Sequence, residues 1–344
     1  MATPLKSSLL SNLSNQNMSA HQSPPPSPTT SVSSKHQPNI VGNLDGTYTR
    51  FLQFPCTAAS QGDDGYSPVL TKDMPLNPEK QTWVRIFLPR QALHSCAPSK
   101  LPLIVYFHGG GFVFLSAAST DIHNFCLDMA TQLFAVIVSV EYRLAPEHRL
   151  PAAYDDAVEA LNYIKSTQEK WLSACADFDN CFLMGTSAGG NIAYHAGLRV
   201  AEDFDGFNPL KIKGLILHHP FFGGSERTQS ELSLANGPVL TLSGTDLMWK
   251  LSLPIGSDRD HEYSNPMVGG GSEQLELIRS MGFRILVAGC YGDLLIDRQV
   301  EFTKMLEKKG IKTVAYLEEG YHAIELSETS KSKELFAVIK AFIK

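Results

Sequence analysis

Cys181-Phe-Leu-Met-Gly-Thr-Ser-Ala-Gly-Gly-Asn191 decides the fold. A short apolar strand, Cys181–Met184, runs into Gly185-Thr186-Ser187-Ala188-Gly189, and a helix-forming stretch, Ala188–Ala201, follows. A strand that turns sharply into a helix brings the residues flanking the turn very close. Glycine at 185 and 189 avoids the clash there, and Gly190 lets the helix stay near the sheet. The turn lifts the Ser187 hydroxyl out of the sheet and sets it at a helix N-terminus, where exposed amides favour developing negative charge. In that context G-x-S-x-G marks a serine nucleophile. Without the context, the same residues would be a Gly-rich helix start with a capping serine.

Outward from this turn, strands and helices alternate. Strands are expected at Trp83–Leu88, Leu103–Phe107, Phe134–Val140, Cys181–Met184, Gly214–Leu217, Arg284–Ala288 and Lys312–Leu317. Near-continuous β-branched runs such as Ala135-Val-Ile-Val-Ser-Val140 suit strands covered on both faces. Helices are expected at Thr120–Leu133, Ala152–Thr167, Ala188–Ala201, Asp297–Lys309 and Ser330–Ile343. The alternation predicts an α/β fold with a mostly parallel central sheet flanked by helices. Two stretches break the rhythm, 39–80 and 221–268, the second with one short helix near Asp246–Leu251. Both are expected to contribute to a cap over the carboxyl edge of the sheet.

A serine nucleophile needs a base, and the base needs an orienting carboxylate. With this type of turn the chain order is Ser, acid, His. His322 is the one histidine after His261, and it follows the last strand. Asp293 follows the strand Arg284–Ala288, and Asp297 competes with it but is expected to cap the helix starting there. Acyl transfer also needs N–H donors for an oxyanion. His108-Gly109-Gly110-Gly111-Phe112 stands directly after a strand, and its Gly109, Gly110 and Gly111, with the amide of Ala188, form the expected donor set. A phosphate cradle would need a different spacing. Phe112, Leu115, His219, Phe221 and Phe222 are the expected pocket wall, with His219 as a hydrogen-bonded wall residue. His195 is read as structural, and no Asp/Glu/His cluster has metal-ligand spacing, so neither a metal nor a cofactor is expected.

Composition excludes several classes. The 344 residues carry a net charge of −6, which argues against a polyanion binder. No apolar run reaches the roughly 18–20 residues of a membrane span. The six cysteines make no C-x-x-C pair and read as free thiols. The first 38 residues hold ten Ser, six Pro and no acid, which predicts a disordered tail (1–38) ahead of one domain (39–344). A cytosolic enzyme is expected, with a plastid address as the alternative reading of that acid-free start.

Taken together, six ordered blocks resemble the plant carboxylesterases of the hormone-sensitive-lipase-like branch of α/β hydrolases. They are His108–Phe112, Tyr142-Arg-Leu-Ala-Pro-Glu147, Pro151-Ala-Ala-Tyr-Asp-Asp156, Gly185–Asn191, Asp293 with Asp297, and Gly320-Tyr-His322. The resemblance covers roughly residues 40–344. It implies the triad Ser187, Asp293 and His322, an oxyanion hole around Gly109–Gly111, and hydrolysis of small, short-acyl esters; a monomer or weak homodimer is the default expectation. Thr186 departs from the family, which commonly has Asp or Glu there, so tuning of the site is expected. Two rival readings stay open: a dehydratase or cyclase of specialised metabolism on the same scaffold, and a hormone receptor without turnover, against which His322 stands.

Overall fold

The structure, a computed structural model, describes residues 40–60, 67–94 and 100–344. The expected tail, residues 1–38, lies outside them. The strands are β1 (Ile40–Gly42), β2 (Tyr48–Arg50), β3 (Val69–Asn77), β4 (Thr82–Pro89), β5 (Leu101–Phe107), β6 (Val136–Glu141), β7 (Ala176–Thr186), β8 (Ile212–His218), β9 (Arg284–Cys290) and β10 (Lys312–Glu318). The helices are α1 (Gln91–His94), α2 (Thr120–Leu133), α3 (Ala152–Ser166), α4 (Lys170–Cys175), α5 (Ala188–Glu202), α6 (Gln229–Ser233), α7 (Leu242–Ser252), α8 (Leu275–Ser280), α9 (Ile296–Lys308) and α10 (Thr329–Phe342). β1 and β2 form a small hairpin, and the other eight strands form one sheet in the order β10-β9-β8-β7-β5-β6-β4-β3. Neighbours from β10 to β6 run parallel, whereas β4 and β3 are antiparallel additions at one edge.

Both faces of the sheet are covered, which is why the central strands read as unbroken apolar runs. Leu103, Val105 and Phe107 point into one core with Leu161, Ile192 and Phe302. Ile104 and Tyr106, one residue out of phase, point into the other with Phe125, Met129, Leu335 and Phe336. Helices α3, α5 and α9 thus serve one face and α2 and α10 the other.

Three expectations are corrected here. Val69–Asn77 was assigned to the cap but is a sheet strand. Lys72, Asp73 and Pro75 hide it from a pattern reading, and an edge strand tolerates all three. The strand expected from Phe134 begins at Val136, because Phe134 takes a left-handed conformation (φ 51°) that closes α2. β7 begins at Ala176, five residues early, since its polar start Asp177–Asn180 spans a register shift against β5.

Candidate active site

Three loops at the carboxyl ends of β7, β9 and β10 converge. The first is the turn after β7. Ser187 has φ 57° and ψ −118°, a conformation that side-chain-bearing residues rarely adopt and that costs about 1–3 kcal/mol. The surroundings enforce it: a side chain at Gly185 would strike the Gly189 carbonyl, and one at Gly189 would strike the end of β5 at Phe107. The Ser187 amide donates to the His218 carbonyl (2.8 Å), tying the turn to β8.

The second and third loops bring Asp293 and His322. His322 Nε2 lies 2.9 Å from Ser187 Oγ, and His322 Nδ1 lies 2.7 Å from Asp293 Oδ2. Asp293 is buried and its Oδ1 accepts the Leu295 amide (3.0 Å). Burial alone would raise its carboxyl, but the His322 ring and hydrogen bonds from His219 and His322 outweigh it and hold the group well below the usual carboxylate range. Asp297 stands apart. It does not cap its own helix, whose N-cap is Leu295; its Oδ2 accepts the Ser230 amide (2.7 Å) and ties α6 to α9. That corrects the helix-cap expectation, and only the tertiary placement of α6 reveals the partner.

The glycine run after β5 packs against the same turn. A Cβ on Gly109 would sit 3.1 Å from the Thr186 carbonyl and 3.4 Å from Ser187 Cβ. Gly110 (φ 101°) and Gly111 (φ 61°) need the freedom only glycine has. Among the described residues, none accepts a hydrogen bond from the Gly110 or Gly111 amide. Ala188 opens α5, so its amide has no acceptor within the helix. His108 is fully buried, stacked on Tyr142 (4.2 Å between centroids), and burial lowers it to about 4, so it is neutral.

The expected pocket wall divides. Phe112 (φ 65°) packs on Phe221 (6.2 Å) and Trp249 (5.6 Å), and Phe221 stacks on Trp249 (4.5 Å). Leu115 (φ 70°) is half-buried, its Cβ next to Gly110. Phe222 instead packs on Tyr194 and Phe302, in the core between α5 and α9. His219 is fully buried, with Asp293 at one ring nitrogen and Glu325 at the other, so it lies behind the acid rather than in the wall. Strand position could not separate wall from backing, because His219 leaves the strand with a left-handed φ of 46°. The sequence pattern did not point to Met248 of α7, whose side chain lies against Gly111, to Trp249, whose ring packs on that of Phe112, or to Glu325. The Trp in an irregular insertion was the available signal for α7; Glu325 carried none.

Thr186 faces inward: its Oγ1 accepts from Tyr106 OH (2.9 Å) and lies 2.9 Å from His218 Nδ1. Two buried groups, His218–His219–Glu325 and His219–Asp293–His322, hold ligand-type atoms within 4.8 Å of one another. Hydrogen bonds within the cluster account for most of these atoms.

Ser187 is therefore hydrogen-bonded to a histidine that is itself hydrogen-bonded to a buried carboxylate, beside unpaired backbone amides. Residues 104–326 match the family described as alpha/beta hydrolase fold. Carboxylesterase 20 of Arabidopsis thaliana is 50% identical over 309 residues, covering 89% of this chain and 94% of the relative. The chain belongs to the plant carboxylesterases. This carboxylesterase is also 47% identical over 309 residues to 3-O-acetylpapaveroxine carboxylesterase CXE2 of Papaver somniferum, covering 87% and 95% of the two chains. Among solved structures it is similar to an esterase of Pyrobaculum calidifontis, with a TM-score of 0.66, 26% identity, and coverage of 80% and 84%. The enzyme is a carboxylic ester hydrolase of the α/β hydrolase fold. Among its described residues, no helix is long and apolar enough to cross a membrane.

Proposed function

We propose that Ser187 is the nucleophile, His322 the base and Asp293 the orienting acid, and that the substrates are small esters with short acyl groups. The observation that carries this reading is the unbroken line from Ser187 Oγ through His322 to Asp293, at 2.9 and 2.7 Å. Ser187 attacks the ester carbonyl while His322 Nε2 takes its proton. The amides of Gly110, Gly111 and Ala188, with Gly109 holding the loop against the turn, receive the oxyanion. His322 returns the proton to the leaving alcohol, and Asp293 stabilises the imidazolium between the two steps. Water then clears the acyl-enzyme by the same route.

Phe112, Leu115 and Phe221, backed by Trp249 and Met248, form the acyl side of the site. Their close packing supports a slot for acyl chains of about two to four carbons. The Papaver somniferum relative, whose name specifies an O-acetyl substrate, agrees with the short end of that range. An acyl-length series of esters with Ser187→Ala and His322→Ala controls tests the whole reading. Ser187→Ala is expected to lose on the order of 10⁶ in kcat. Ordinary turnover by that variant would remove the nucleophile assignment, and a preference for long acyl chains would remove the slot.

The enzyme is proposed to act in the cytosol, as a monomer or weak homodimer. A plastid address in residues 1–38 is the alternative, and a reporter fused to those residues separates the two.

A further inference from the structure

The inference concerns His219 and rests on the reading of Ser187, His322 and Asp293 as the catalytic unit. His219 Nδ1 lies 2.9 Å from Asp293 Oδ2, and its Nε2 lies 3.0 Å from Glu325 Oε2. All three side chains are buried. A neutral imidazole carries one N–H, so one of its nitrogens would turn a lone pair on a carboxylate. Either the ring holds two protons or one carboxyl is protonated.

The neighbours decide between these. Asp293 is surrounded by donors: His322 Nδ1 (2.7 Å) and Gln299 Nε2 (3.3 Å) on Oδ2, and the Leu295 amide (3.0 Å) on Oδ1. Glu325 is likewise met by donors, the Cys290 thiol at 3.9 Å and the His219 ring. His218 Nε2 also lies 3.0 Å from Glu325 Oε2, though poorly aligned for a hydrogen bond. The His218 proton belongs on that nitrogen, because His218 Nδ1 faces Thr186 Oγ1, which accepts from Tyr106 and has its own proton to give. Donors converging on both carboxyl groups favour their ionised forms and leave the shared proton on the His219 ring.

We propose that His219 is a permanent imidazolium that bridges Asp293 and Glu325, a positioning residue that sets the charge the triad acid presents to His322. It acts through Asp293, its ring 5.2 Å from that of His322. The groups facing it are His218 from β8, Cys290 at the end of β9, Asp293 and Gln299 after it, His322 after β10, and Glu325 in the short helical turn Ile324–Leu326. Burial opposes charge on the ring, but the hydrogen bonds with Asp293, Cys290 and Glu325 prevail and raise its proton affinity well above that of an ordinary histidine. Glu325 is buried too, yet the His218 and His219 rings hold its carboxyl low. The two carboxylates and one cation sum to a single negative charge, as in a site with a lone acid, but with opposite charges stacked behind it.

Removing either charge therefore moves the catalytic pH profile in opposite directions. In Glu325→Gln the acid limb of kcat/KM is expected to shift down by about one pH unit, and in His219→Gln up by a similar amount. A purely structural role would lower activity without moving the limb. Nitrogen-15 NMR of histidine-labelled enzyme gives the direct measurement, with the His219 signal assigned by its loss in His219→Gln. Should that variant not fold, the perturbation of the same signal in Glu325→Gln serves. Two protonated ring nitrogens from pH 6 to 8.5 are expected. One unprotonated nitrogen at pH 7, or limbs that stay put or move together, would overturn the proposal. The NMR result does not depend on turnover. An active Ser187→Ala would break the catalytic reading alone, and a neutral His219 would break this inference alone.

Discussion

Ser187 stands between two buried sides of different character. On one side lie His322, Asp293, His219 and Glu325, a chain of charged or proton-sharing groups matched donor to acceptor. On the other lie Gly110, Gly111, Phe112, Trp249 and the stacked pair His108–Tyr142, with no ionised side chain among them. The proposed reaction of an ester needs both: the polar side to move a proton, and the apolar side to offer fixed N–H groups where water does not compete. The two sides are secured differently. Geometry on the polar side comes from hydrogen bonds between distant loops. Geometry on the apolar side comes from glycines that permit a backbone path and from aromatic rings packed around it.

The largest test of that difference is Gly110→Ala. The added Cβ would collide with the Phe114 carbonyl at a positive φ, so the loop must move and its amides with it. A loss of about 10²–10³ in kcat is expected, with the Ser187–His322–Asp293 line intact, because an oxyanion donor is misplaced. Steady-state kinetics with one short-acyl ester measures it, and near-normal kcat would mean that the loop supplies no donor.

Acid stability gives a second, smaller test. Burial lowers His108 to about 4 and His195 to about 3, from roughly 6.5 in the unfolded chain. Between those pH values the unfolded chain binds more protons, so stability falls as pH drops from 6.5 towards 4. Asp293 and Glu325 have the opposite sign of charge and are held low, so their contribution stays complete above roughly 4 and is lost only below it. Tm is therefore expected to decline between pH 6.5 and 4.5, and His108→Asn to flatten that decline. A flat Tm across the window in the unmodified enzyme would break the neutral-side account.

The smallest effect is expected from Thr186→Val. It leaves the buried Tyr106 hydroxyl and His218 Nδ1 without their shared partner, at a cost of about 1–3 kcal/mol. Its hydroxyl bonds to Tyr106 and His218 and not to Ser187, so kcat/KM should change only a few-fold. Urea unfolding beside kinetics checks both halves, and a large catalytic loss with unchanged stability would move Thr186 into the reaction itself.

Legibility in the sequence followed the range of each constraint. Gly185, Gly189 and the His108–Phe112 run could be read because each answers a local steric demand within a few residues. The helix Thr120–Leu133 was legible in full, from the Ser, Thr and Asp that begin it. Val69–Asn77 was not, because an edge strand pairs on one side and relaxes the apolar alternation that identifies inner strands. His219, Phe221 and Phe222 follow one another near the site, yet one backs the acid, one faces Trp249 and one fills the core. Neighbouring positions diverge because His219 takes a left-handed φ just past the strand end, and no local pattern encodes the direction.

The amino-acid sequence alone therefore carried the α/β hydrolase fold and the chain positions of the glycine loop and of Ser187, Asp293 and His322, the residues proposed for catalysis. Those depend on strand and helix periodicity and on glycine at turns that admit nothing larger. Tertiary placement alone set His219 between Asp293 and Glu325, joined Asp297 to α6, and brought Met248 and Ser252 of α7 against Gly111. The physical reason is that each of these contacts joins residues on separate loops. Its energy comes from burying polar groups and rings against partners 67 to 141 residues away, which no local sequence pattern specifies.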